Sequence, residues 1–144
     1  MRRAVLAGLA MVLGMGASVA ADDPIHARRA LMKANGTTTK AVVPIMKGAA
    51  SFKLEDVQAA LKSYIEAAEK APALFPAGSD KGDTNALPAI WTNKRDFDGR
   101  FAKLATESNA ALAAITDEAS FKANFAPVLK NCGGCHELYR AKEK

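Results

Sequence analysis

Near the end of the chain stand Cys132, Cys135 and His136, in the run Cys132-Gly133-Gly134-Cys135-His136. Two cysteines separated by two residues, with histidine directly after the second, form the attachment signature of a c-type haem. The spacing suits the chemistry. On a helix, positions three and four apart share a face, so two thiols and an imidazole converge on one planar ring. The thiols would add to the two vinyl groups as thioethers, and His136 would ligate the iron. Cys132 and Cys135 are the 2 cysteines of the whole chain, which leaves no structural disulfide and no further thiolates for a zinc or iron–sulfur centre. The competing chemistry is a thioredoxin-like dithiol, which would need a βαβ setting.

A chain of 144 residues fits one domain, and residues 1–21 read as a signal peptide rather than as part of it. Arg2 and Arg3 form a positive start, residues 4–17 an apolar run, and Ser18-Val19-Ala20-Ala21 offers small-residue cleavage after Ala20 or Ala21. The run is shorter than the ~20 residues of a membrane span, so no stable membrane insertion is expected. The domain proper is then 22–144. Covalent haem attachment in bacteria belongs on the periplasmic side, so the address and the motif agree. The formal charge of +5 falls to +3 once Arg2 and Arg3 are removed. Its basic residues are scattered rather than clustered, which argues against a nucleic-acid partner.

The elements that must position the motif read as helices throughout. Over 22–48, Ile25, Arg28, Met32, Asn35, Thr39, Val42 and Met46 recur at spacings of three and four, one continuous stripe. Asp22 and Asp23 suit the positive end of that helix, and Gly48 is its stop. Asn35-Gly36 and Pro44 oppose a single helix, Gly alone costing ~1 kcal/mol relative to Ala, yet the spacing runs through both. The polar middle of the stripe, Arg28, Asn35 and Thr39, either bonds haem propionates or water, or turns to solvent. A second helix is expected over 54–70, with Leu54, Val57, Leu61, Ile65 and Ala68 inward and Ser51 as cap.

Residues 71–92 carry too many prolines and glycines for regular structure. So long a loop in so small a domain implies a task, such as crossing the bundle or covering a ligand edge. The third helix starts between 88 and 93 and ends near 114, with Phe97, Phe101, Leu104, Ser108, Ala111 and Ile115 along one side. The fourth covers 118–142, capped by Thr116 or Asp117. Its stripe is Phe121, Phe125, Val128, Cys132, Cys135/His136 and Tyr139, with Pro127 expected to kink it. No stretch shows period-two alternation. The expected fold is all-α, an antiparallel up-down four-helix bundle with the haem near its C-terminus, and the βαβ setting of the dithiol alternative is missing.

Met32, Met46 and His26 are the candidates for the far side of the iron. In an up-down bundle the first helix runs antiparallel to the fourth, which puts Met32 near the level of His136 and Met46 some 21 Å further along, at ~1.5 Å per residue. His26 differs from Met32 by roughly 240° of helical rotation and reads as solvent-exposed. Geometry leaves two roles for Met32: a ligand, or a methionine packed on the haem face.

Several runs resemble the class II cytochromes c, the cytochrome c-prime family. They are Arg28-x-x-x-Met32, Pro44-Ile45-Met46-Lys47-Gly48, the 74–83 loop, Pro88-Ala89-Ile90-Trp91, and Cys132 to Arg140. The resemblance implies a periplasmic four-helix bundle holding one covalent haem c. Leu31-Met32-Lys33-Ala34-Asn35-Gly36 is similar to the low-spin c-556 branch, which implies Met32 as the distal iron ligand opposite His136. The high-spin branch, five-coordinate and able to bind NO or CO, is the alternative. Arg28 and Arg140 are expected in the haem environment. The function implied is single-electron transfer between redox partner proteins, without substrate chemistry, and pairing through the first two helices makes a homodimer possible. Lys130, Lys142 and Lys144 flank the motif, where they could guide an acidic partner.

Overall fold

The computed structural model describes residues 23–142; the signal peptide expected at 1–21 and Lys144 lie outside them. The first helix, α1, spans Pro24–Met46 without a break at Asn35-Gly36 or Pro44. Asp23 caps it by accepting from the Ile25 amide at 2.9 Å. At its other end the Gly48 amide donates to Ile45 at 3.1 Å and the Ala49 amide to Pro44 at 2.9 Å. That pair of bonds is a Schellman closure, and Gly48 supplies the required φ of 69°.

Next come α2 at Leu54–Lys70, a 3₁₀ turn at Ala71–Leu74, a short α3 at Ala89–Thr92, α4 at Lys94–Ala114 and α5 at Glu118–Tyr139. The cap of α2 is Lys53, with no side-chain bond, rather than Ser51. Its inward face is also wider than the pattern of large residues suggested: Ala60, Tyr64 and Ala67 are buried, and Ile65 only half so. Asp117 caps α5 in a reciprocal box with Ser120. The helix ends three residues short of 142 because Arg140 leaves it to bridge Ala86 in extended conformation. It continues through Pro127.

The four long helices form the antiparallel bundle. Small alanines on α2 let it approach closely, and it packs on both α1 and α4, while α4 packs on α5. The α4 stripe is buried from Phe97 to Ile115, Ser108 included. At one end of the bundle Phe121 meets Phe52 and Phe125 at a tilt, with centroid distances of 5.7 and 5.1 Å. At the other, Phe97 meets Phe75, Phe101 and Tyr139 edge-on at 4.7, 5.2 and 5.2 Å. Buried phenylalanines of this kind each stabilise by about 1.5–3 kcal/mol.

The polar residues of α1 resolve differently from either expectation, since most bond to protein. Asn35 Oδ1 accepts from Ser63 Oγ at 2.7 Å, and Thr39 Oγ1 and the Tyr64 hydroxyl lie 2.6 Å apart. Arg28, only 4% exposed, spends its guanidinium on the 71–92 segment. Its Nη1 donates to the Leu74 carbonyl and Ser79 Oγ, both at 3.0 Å, and its Nη2 to the Ser79 carbonyl at 2.7 Å and Thr84 Oγ1 at 2.8 Å. The same group lies 4.4 Å from the centroid of Phe75, a cation–π contact. Burial lowers its pKa, with Asp23 opposing.

Replacing Arg28 strands two carbonyls and two hydroxyls, so Arg28→Met should lower stability by about 2–4 kcal/mol. Denaturant unfolding measures that, and limited proteolysis should cut first within 74–84. Arg28→Lys, lacking the planar fork, should recover less than half.

Candidate functional site

The motif lies on α5 in its last two turns. Cys135 and His136 line a cavity of about 360 Å³, within the ~300–1,000 Å³ common for small-molecule and cofactor sites. Across it Arg28, Arg29, Met32 and Lys33 come from α1. The two helices do not pack closely on one another; the cavity lies between them. Phe97 and Phe101 of α4 line it with Tyr139, and Ala71, Phe75, Thr84, Ala86 and Ile90 close its edge. The long 71–92 segment is therefore a strap along the cavity. Of the two tasks its length suggested, crossing the bundle or covering a ligand edge, its place in the lining favours the second. Gly82, at φ 107°, lets the strap turn where a Cβ would stand 3.5 Å from Ile25. Backbone bonds from Leu87 to Tyr139 at 3.0 Å and from Ala141 to Asn85 at 2.8 Å tie its end to the end of α5.

Cys132 and Cys135 are unpaired and half-buried. Burial pushes both thiols up, with Arg100 opposing this at Cys135. A dithiol redox pair instead needs a lowered pKa, commonly at a helix N-terminus, and these cysteines lie toward the C-terminal end of α5. Burial lowers His136, and Arg140 adds to the shift. Both effects favour the neutral imidazole, the form that binds a metal. The Cys135 thiol, the His136 imidazole and the Met32 thioether share one aromatic-lined cavity. Cys132 is half-buried one turn earlier on α5, outside the lining residues, and the set fits a haem c carried on the face of that helix.

Of the other predicted residues, Arg140 lines the cavity from the end of α5. Arg28 lines it as well, but its four Nη bonds go to the strap, so it shapes the site's edge. His26 is exposed, and Met46 lies on the last turn of α1, away from the lining residues.

Sequence reasoning missed Asp96 and Arg100. Asp96 Oδ2 accepts from the Tyr139 hydroxyl at 2.5 Å and from Arg100 Nε at 2.7 Å. The Tyr139 bond, then the Arg100 bond, hold its carboxyl below the usual range. Arg100 Nη1 also donates to the Gly134 carbonyl at 3.3 Å, inside the motif. The four-residue spacing of Asp96 and Arg100 signals a helical ion pair, but nothing in it says what the pair touches.

The family model described as Cytochrome C′ matches residues 23–140. The chain is 48% identical over 144 residues to a cytochrome c′ of Rhodopseudomonas palustris, with 99% of this chain and 98% of that one covered. To a cytochrome c-556 of the same organism it is 36% identical over 149 residues, with 99% of each covered. Among solved structures, a cytochrome c′ from Rhodopseudomonas palustris superposes with a TM-score of 0.82 at 46% identity, covering 86% of this chain and 100% of that one.

If both thiols carry the haem, the denatured holoprotein should bind no maleimide, whereas Cys132→Ser and Cys135→Ser should each lose one thioether. Pyridine haemochrome spectra register that loss as a red-shifted α band.

Proposed function

Because this chain belongs to the cytochrome c′ family of haem-binding, electron-carrying four-helix bundles, we propose that it moves single electrons in the periplasm through an iron held between His136 and Met32. Its cofactor is one covalent haem c, which supplies the one-electron couple. Cys132 and Cys135 anchor it, and His136 is the proximal ligand. The observation that carries the reading is that Met32 lines the same cavity as His136, on the opposite helix.

Each residue has a physical task. Burial favours the neutral His136 imidazole, the form that donates to a metal. A thioether on the far side favours the reduced state and raises the potential. Phe97, Phe101 and Ile90 give the site an apolar wall. Arg28 holds the strap along its edge. Lys130 and Lys142 are exposed beside the motif, where an acidic redox partner would be drawn in. A homodimer through α1 and α2 belongs to the same reading.

The second reading, a five-coordinate centre that binds NO or CO, draws on the higher identity to a cytochrome c′ than to a cytochrome c-556, 48% against 36%. Visible spectra separate the two. Met32 ligation should give sharp low-spin bands on reduction and a weak far-red sulfur-to-iron band on oxidation. Met32→Ala should abolish both features, lower the midpoint potential and open the iron to CO. A broad high-spin spectrum of the unaltered protein with immediate CO binding would establish the second reading instead.

A further inference from the structure

His136 must stand still beneath the iron, yet its own helix is weak just before it. Gly133 and Gly134 sit inside α5, where each glycine costs ~1 kcal/mol relative to alanine, and the helix ends at Tyr139. One ion pair on α4 braces both sides of this stretch. Two residues before His136, Arg100 Nη1 donates to the Gly134 carbonyl at 3.3 Å. Three residues after it, Asp96 accepts from the Tyr139 hydroxyl at 2.5 Å. Arg100 Nε and Asp96 Oδ2 are 2.7 Å apart, and the guanidinium lies 5.7 Å from the Tyr139 centroid. The two braces are thus one unit, and the tyrosine ring it holds is itself a cavity wall.

We propose that Asp96 and Arg100 are positioning residues for the proximal side of the haem: they clamp α5 at Gly134 and Tyr139 and so set where His136 stands. The inference rests on the His136 role proposed above. An equivalent pair on the same helix, Lys94–Asp98 at 2.5 Å, bonds the Pro72 carbonyl instead, away from α5. It serves as an internal control.

The test is made on haem-loaded protein, with the midpoint potential and the hyperfine-shifted proton resonances of the oxidised state as readouts. Tyr139→Phe and Arg100→Leu should each move both readouts, while Asp98→Asn should leave them at wild-type values. Asp96→Leu should reproduce the combined change of the Tyr139→Phe/Arg100→Leu double variant, because one carboxylate organises both contacts. Potentials and resonances indistinguishable from wild type, with or without a lower melting temperature, would reduce the cluster to helix packing and overturn the proposal. Should Asp96→Leu not fold, Asp96→Asn decides. It keeps a single neutral acceptor, so a displacement of both readouts supports the proposal and wild-type values reject it. A failure of the underlying function shows separately, as wild-type protein without covalent haem, and would overturn both.

Discussion

The site depends on one buried cation. The Arg28 guanidinium ties α1 to four oxygens, on Leu74, Ser79 and Thr84. The apolar residues of the 71–92 segment, Ala71, Phe75 and Ile90, pack on the bundle, and Arg28 fixes the polar stretch between them. The strap then runs beside the cavity, and its end pairs Ala86 with Arg140 where α5 stops. A buried charge is stabilising only when its donors are satisfied. Here all four Nη hydrogens are engaged and the flat face rests on Phe75.

The remaining walls follow from size and rigidity. Alanines on α2 bring it close to α1 and α4, so α1 is held by its neighbour rather than by α5. That division leaves the space between α1 and α5 free for a flat cofactor. The edge-on packing of Phe97 against Phe75, Phe101 and Tyr139 stiffens the floor. For a carrier that must change oxidation state with little rearrangement, a floor that cannot shift is an advantage.

Helix α4 contributes more than packing. Its inner face supplies phenylalanines, and its flank supplies polar contacts to α5 at successive turns: Asp96 to Tyr139, Arg100 to Gly134, and Lys103 and Glu107 to Asn131 at 3.0 and 2.5 Å. Exposed ion pairs contribute little alone. A row of bonds reaching across to another helix instead limits how that helix can rotate or slide, and α5 carries every thiol and the imidazole.

The cofactor class and the helices are readable from local residue patterns alone. Cys132, Cys135 and His136 name their cofactor because attachment requires those atoms at that local spacing. The stripe from Phe97 to Ile115 was legible because helical burial is periodic, and Met32 because its height follows from rise per residue. Boundary errors were local: Ser51 gave way to Lys53 as the cap of α2, and α5 ended at Tyr139 because Arg140 pairs with a strand-like segment distant in sequence. Where Arg28 spends its donors, that the 71–92 strap walls the cavity, and that Asp96 and Arg100 grip the motif helix emerge only from the assembled fold. Those contacts join residues 34 to 56 positions apart. No local pattern encodes them, because a side-chain donor chooses its acceptor only after the helices have fixed their distance and rotation.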